Sequence, residues 1–320
     1  MKKIHILATG GTISAQGPAG RTAGYQDGAF DIGQLLSGVA GVENLAALTG
    51  EQIFTISSED MTGAHWLTLA RRINQLAAGD VDGFVITHGT NTMEETAYFL
   101  HLTVRTDKPV VLTGSMRPAT ANSADGAQNL YEAIALASSD QARGKGVLLA
   151  FSDGIYGARG VQKTNCFRPG AFDSRDFGCL GYLQDDLPVF VQVPARPHTL
   201  HTPFQVEALT QLPRVEIACF YADADPAVLT GAASRAQGLV IAGAGSGQMS
   251  AAWKEAAADL ARRMPVVCCS RIGNGLVGSA SVPGALYSMT LPPVKARILL
   301  SLGLTRTDCR ETLQEYFLTF

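Results

Sequence analysis

Short apolar runs alternate with stretches of helical period along the first half of the chain. Residues 4–7, 52–56, 83–87, 109–113 and 146–151 read as strands, and 62–78, 93–103 and 125–137 between them read as helices. In the first helix Trp66, Leu69, Ala70, Ile73 and Leu76 recur at helical spacing, which makes that stripe a core face and not a binding face. Such alternation predicts a mostly parallel sheet with right-handed crossovers. That topology gathers the loops at the strand carboxyl ends along one edge.

The pattern lapses over 189–204, where Pro194, Pro197 and Pro203 interrupt a stretch with little helical period. The expectation there is an extended linker. A second α/β series follows, with strands at 215–221, 239–242 and 265–270. Helices are expected near 226–236 and over 251–263, 292–302 and 308–317. The fold class is thus α/β with two α/β domains. A larger N-terminal domain with a mostly parallel sheet spans 1–190, a linker 191–210, and a smaller C-terminal α/β domain 211–320.

Composition narrows the partners. A hydrophobic fraction of 46% with 17% charged residues suits a globular chain able to bury a sizeable core. A net charge of −3, with lysines and arginines scattered, leaves no footprint for nucleic acid or an anionic membrane surface. The apolar stretch within 1–9 is broken by His5 and stops at Gly10-Gly11, too short for an export signal, and no segment reaches membrane-spanning length. Cys166, Cys179, Cys219, Cys268, Cys269 and Cys309 show no metal-ligand spacing and read as buried free thiols. The expectation is a cytoplasmic protein without metal or cofactor.

Two threonine-bearing turns follow predicted strands. In Thr9-Gly10-Gly11-Thr12-Ile13 the paired glycines let backbone approach a ligand and present amides to an oxyanion, and Thr12 is a candidate nucleophile. A tight turn with Thr12 merely capping it is the competing account. Tyr25 lies in the glycine-rich stretch 15–30, placed as a lid hydroxyl would be, though an ordinary surface aromatic fits as well. Ser57-Ser58-Glu59-Asp60 offers small hydroxyls for a carboxylate and an acid for an ammonium, or else a cap for the next helix. Thr87-His88-Gly89-Thr90-Asn91-Thr92 precedes Met93-Glu94-Glu95, a helix start with acids at its positive end. There the alternative is an N-cap by Thr92 with Thr90 incidental. Lys163 stands in a polar stretch where a lysine is usually solvated.

Taken together these segments closely resemble the bacterial-type L-asparaginase and glutaminase-asparaginase family. The resemblance rests on Thr9-Gly10-Gly11-Thr12-Ile13, Tyr25, Ser58, His88-Gly89-Thr90 and Thr113-Gly114-Ser115-Met116-Arg117-Pro118. It continues through Ser123-Ala124-Asp125-Gly126 with Asn129-Leu130, Lys163-Thr164-Asn165 and Lys295-Ala296-Arg297, and covers nearly the whole chain. It implies hydrolysis of a side-chain amide to a carboxylate and ammonia without metal or cofactor. It casts Thr12 as nucleophile, Tyr25 as its lid-borne activator, and Thr90 with Lys163 as the second polar group. Gly11, Ser58, Glu59, Gly89, Asn91 and Ser115 would contact substrate, with Ser58 on the α-carboxylate. The family's sites lie between subunits, usually of a homotetramer.

Two departures concern charge. The family usually has glutamine where this chain has Glu59, and aspartate where it has Asn91. A negative charge has moved across the pocket instead of being deleted. The expectation is that Glu59 holds the substrate ammonium and Asn91 is its neutral partner. Without its usual counter-ion, Lys163 should reach the neutral form more readily, an effect that vanishes if Glu59 reaches Lys163 in its place. Further ammonium contacts, supplied in many relatives by a neighbouring subunit, fall on Ser246, where asparagine is common, and on Ser281, where glutamate is. The stretch Gly243–Gly247 is not Gly-x-Gly-x-x-Gly and does not read as a dinucleotide site. The expected activity is an amidohydrolase acting on L-asparagine, L-glutamine or another ω-amide. A non-catalytic amino-acid-binding protein on the same scaffold, and the amide-hydrolysing subunit of a tRNA-dependent amidotransferase, are the alternatives.

Overall fold

In the computed structural model, which describes residues 1–22, 24 and 30–320, the apolar runs become strands with covered faces. The chain divides into two units, Met1–Thr202 and Pro203–Phe320. In the first, β1 (Lys3–Gly10), α1 (Ile32–Ser37), β2 (Ala47–Ile56), α2 (Gly63–Ala77), β3 (Gly83–Thr87), α3 (Met93–Thr103), β4 (Val110–Thr113), α4 (Gly126–Ser138) and β5 (Val147–Phe151) follow one another. Strands β2, β1, β3, β4 and β5 pair in parallel in that spatial order. Every residue of β3, β4 and β5 is buried, as expected where both faces are covered.

Packing accounts for the helices. Leu130, Ala133, Ile134, Leu136 and Ala137 of α4 join Ile4, Ile6, Val85, Val111 and Leu148 of the strands in one apolar cluster. The α2 stripe is buried at Trp66, Leu69, Ala70 and Ile73, while Leu76 is only partly covered. Its start is fixed by a reciprocal cap. Thr62 Oγ1 accepts from His65 N and His65 Nδ1 accepts from Thr62 N at 3.2 Å, so Thr62 caps this helix and not a residue of 57–60.

The sheet extends further than the sequence pattern indicates. Strand β6 (Gly154–Gly157) pairs antiparallel with β5, β9 (Gly181–Gln184) with β6 and β10 (Leu187–Phe190) with β9, giving a sheet in the order β10-β9-β6-β5-β4-β3-β1-β2. Between them β7 (Gln162–Lys163) and β8 (Phe172–Asp173) form a short antiparallel ribbon. The segment expected as a linker from 189 therefore starts inside an edge strand. Its far end is docked: Arg105 Nη1 donates to the carbonyls of Thr199 at 3.1 Å and Thr202 at 3.0 Å.

The second unit contains β11 (Val215–Cys219), α5 (Ala227–Ala233), β12 (Gly238–Gly243), α6 (Ala251–Ala261), β13 (Val266–Ser270), β14 (Leu286–Tyr287), α7 (Pro293–Leu304) and α8 (Arg310–Thr319). Its four strands are parallel in sequence order. Trp253 anchors its core against Leu239, Ile241 and Cys268, and its indole N–H donates to Ala224 O at 2.8 Å. All six cysteines are free thiols, but only Cys268 and Cys269 are buried. Cys166, Cys219 and Cys309 are exposed, which corrects the expectation of uniformly buried thiols. Among the described residues no helix is long and apolar enough to cross a membrane.

Candidate active site

The carboxyl ends of β1, β2 and β3 bring three loops together. After β1 the backbone turns at Gly10 and Gly11, with φ of 103° and 84°, into a short 3-10 turn over Thr12–Ser14. A Cβ on Gly11 would overlap Gly89 Cα and N, and one on Gly89 would stand 2.8 Å from Ser58 Cβ and Oγ. The two threonine turns and the serine loop are thus packed backbone against backbone, closeness that only glycine permits. Thr9 Oγ1 donates to Thr87 O at 2.9 Å and ties the two strand ends together.

A cavity of about 450 Å³ opens where these loops meet. It is lined by Gly11, Thr12, Ser57, Ser58, Glu59, Gly89, Thr90, Asn91, Met116, Lys163 and Cys166, all in the first unit. Thr12, Ser58 and Thr90 are nearly buried, whereas Glu59 and Asn91 are exposed at its rim. Lys163 enters from the β7–β8 ribbon. Its backbone N–H donates to Glu94 Oε2 at 2.9 Å, and its Nζ donates to Thr90 Oγ1 at 2.8 Å and Asn91 Oδ1 at 2.6 Å. Burial lowers the Lys163 pKa from its ordinary value, against Cys166, Glu59 and Glu94, which act to raise it. The lowering has the expected direction but a different cause, burial, since the Glu59 and Glu94 charges act to raise the pKa.

Glu59 is held on the opposite side of Asn91. Asn91 Nδ2 donates to Glu59 Oε2 at 3.2 Å, and Asn91 N donates to Ser58 Oγ at 3.1 Å. The backbone amide at Glu59 leads, with Asn91 next, in holding its carboxyl below the usual range. Thr92 occupies the cap position of α3, but its hydroxyl donates to Ser58 O at 2.7 Å and caps nothing.

Beneath the Thr90 loop, His88 is fully buried. Its Nδ1 lies 2.7 Å from Gly89 O and its Nε2 2.9 Å from Thr96 Oγ1, which accepts from Trp66 Nε1 at 2.9 Å. A carbonyl only accepts, so Nδ1 carries the proton and Nε2 accepts from the Thr96 hydroxyl. Burial pushes the His88 pKa down to about 4, and the ring is a neutral strut for the loop.

The expected site residues do not all converge. Ser115 is buried away from this cavity, its Oγ donating to Arg117 O at 2.9 Å, and it lines a separate apolar hollow with Ile13 and Leu130. Tyr25 lies outside the described residues. Ser246 and Ser281 belong to the second unit. There Ser246 is exposed in the loop after β12, and Ser281, from the connection between β13 and β14, donates through its Oγ to Gly247 O of that loop at 2.9 Å. Ser57, Met116 and Cys166 line the cavity without having been singled out. Ser57 and Met116 lie inside quoted segments and Cys166 directly follows Lys163-Thr164-Asn165, and that adjacency is the signal that could have found them. Met116 is placed by Asp125, whose carboxylate accepts from Met116 N at 2.9 Å, Arg117 N at 3.0 Å and Asn129 Nδ2 at 3.2 Å.

Comparison with known proteins bears on the family of the chain. Residues 3–195 match the family model described as Asparaginase, N-terminal, and residues 214–317 match that of the Glutaminase/Asparaginase C-terminal domain. A probable periplasmic L-asparaginase of Haemophilus influenzae is 43% identical over 100% of this chain and 93% of that protein. A glutaminase-asparaginase of Pseudomonas fluorescens is 40% identical over 99% of this chain and 90% of that protein. The crystal structure of a probable cytoplasmic L-asparaginase from Campylobacter jejuni superposes with a TM-score of 0.97 at 43% identity, covering 100% of both chains. With both halves matched and relatives at this identity along its whole length, the chain belongs to the asparaginase family.

Proposed function

We propose that this chain hydrolyses the side-chain amide of L-asparagine, or of a related ω-amide such as L-glutamine, through a threonine nucleophile. The observation that carries the reading is the 2.8 Å contact of Lys163 Nζ with Thr90 Oγ1, in a cavity that Thr12 also lines. An amide is a poor electrophile, so the step is split. Thr12 Oγ adds to the amide carbon, the C–N bond breaks, and ammonia leaves with the proton taken from the hydroxyl. Water then cleaves the resulting ester and restores Thr12. A neutral Lys163 acting with Thr90 moves those protons, a role worth roughly 10²–10⁴ in rate. Tyr25 assists Thr12 by family resemblance.

Ser58 would take the substrate α-carboxylate and Glu59 the α-ammonium, at the polar rim where Asn91 joins them. Backbone amides around Thr90 would stabilise the oxyanion, each donor being worth about 3–4 kcal/mol. Asn91 N–H already donates to Ser58 Oγ, so that role falls to its neighbours. Residues 1–190 and 211–320, joined by 191–210, are the functional division of the chain. Ser246 and Ser281 would meet the substrate from a neighbouring subunit of a homotetramer, and the protein would act in the cytoplasm.

Ammonia release from L-asparagine, D-asparagine, L-glutamine and simple ω-amides tests the reading, with Thr12→Ala as control. Release from L-asparagine that disappears in the variant is expected. Undiminished release from Thr12→Ala would overturn the nucleophile assignment. Tight binding without release from any amide would favour an amino-acid-binding protein.

A further inference from the structure

The amide of Asn91 stands between two side chains of opposite charge, and its orientation is set by both. Oδ1 accepts from Lys163 Nζ at 2.6 Å and Nδ2 donates to Glu59 Oε2 at 3.2 Å. Turning the amide over would set donor against amine and acceptor against carboxylate. An aspartate at 91 would place a carboxylate oxygen where Nδ2 now donates, putting two negative charges at hydrogen-bond distance while pairing directly with Lys163. Negative charge at 59 and neutrality at 91 therefore specify each other.

We propose that Glu59 and Asn91 work as one charge-shifted unit. In it Glu59 is the specificity-determining carboxylate for a substrate bearing a free α-ammonium. Asn91 is the positioning residue that orients Lys163 toward Thr90 without forming an ion pair with it. This rests on the amidohydrolase reading and deepens it.

The adjacency of Ser58 and Glu59 sets the ligand class. Ser58 Oγ is 3.5 Å from Glu59 Oε2, so a carboxylate received at Ser58 arrives beside a second carboxylate. Only a ligand carrying a cation on the same carbon relieves that repulsion. A deaminated analogue, succinamate, brings the carboxylate and the ω-amide without the cation, and is rejected. The unit thus selects α-amino acid amides over simple ω-amides by penalising the latter, not merely by attracting the former.

The test is a charge-exchange cycle. Ammonia release from L-asparagine and from succinamate is measured for the wild type, Glu59→Gln, Asn91→Asp and the double variant. L-Aspartate binding is measured by calorimetry on each of the four in a Thr12→Ala background. Glu59→Gln is expected to lower kcat/KM for L-asparagine ~10-fold or more, chiefly through KM, and to leave that for succinamate level or higher. Asn91→Asp is expected to lower kcat. The double variant, with the negative charge moved to 91, is expected to recover ~10-fold or more over Asn91→Asp. Losses that simply multiply in the double variant, or an unchanged asparagine-to-succinamate ratio in Glu59→Gln, would overturn the proposal. If no variant releases ammonia yet aspartate binding shows the same rescue, the amidase reading fails and the charge unit stands. Normal ammonia release with additive losses fails the unit alone.

Discussion

Lys163 gives up solvation to reach Thr90, and that loss governs which of its protonation states the pocket can use. Its pKa is lowered by burial, so the rise of kcat/KM that follows its deprotonation should fall below the pH of an ordinary lysine. The groups facing it are Thr90, Asn91, Glu59, Glu94 and Cys166. The Glu94 charge raises the lysine pKa while its Oε2 accepts from Lys163 N. Glu94→Gln keeps an acceptor there and removes the charge, and is expected to move the ascending limb to lower pH. A pH–rate profile whose limb stays put would mean that another group titrates. Lys163→Met should lose roughly 10²–10⁴ in kcat. At this scale the sequence was most informative about chemistry. Thr12, Ser58, Glu59, Gly89, Thr90, Asn91 and Lys163 all reach one cavity because each sits at a strand end or in a motif of fixed spacing. Ser115 does not, since nothing in its motif says which way a loop hydroxyl turns.

At the level of elements, the site depends on loops too closely packed to tolerate one extra carbon. Gly89→Ala would set a methyl 2.8 Å from Ser58 Cβ and Oγ. Relief by displacement of Ser58 should cost kcat/KM at least ~10-fold, given how steeply rate depends on positioning. The measurement is kcat/KM alongside near-UV circular dichroism, which should stay native. Thr62→Ala serves as the contrasting case. Thr62 is exposed and caps α2 away from the cavity, so its loss is expected to cost about 1 kcal/mol of stability in denaturant unfolding with activity unchanged. The parallel core strands were legible because burial on both faces leaves continuous apolar runs. Strands β6 to β10 were not. They are short, and Tyr182, Leu187 and Val189 are exposed apolar residues that break the in–out code by which a half-covered strand is recognised. Val189 and its neighbours on that edge resemble linker until their pairing with β9 is seen.

Across the whole molecule, two buried groups pull stability in opposite directions over the same pH range. His88 has a pKa of about 4 when folded against an ordinary 6.5, so the folded state binds fewer protons between those values. Its contribution is complete above pH 6.5 and is lost as pH falls through 4, a swing of roughly 3 kcal/mol. Glu132 is fully buried on α4. Its Oε1 accepts from Gln128 Nε2 at 2.9 Å and its Oε2 from Asp153 N at 3.2 Å. Burial pushes its pKa up from 4.5 to about 7, with the Asp153 side chain raising it further and Gln128 opposing. The folded state therefore binds more protons between those values, and stability falls as pH rises from 4.5 through 7. From pH 4.5 to 6.5 the two slopes offset each other, and the unfolding free energy of the wild type should change little with pH on their account. Glu132→Gln removes one slope and keeps the shape and an acceptor for Asp153 N. Its stability relative to wild type should climb across pH 4.5–7 and level off above. Unfolding of both proteins by denaturant at several pH values measures the difference. A gap that is constant across this range would mean that Glu132 is ionised throughout, and that the buried carboxyl is stabilised by partners other than Gln128 and the Asp153 amide.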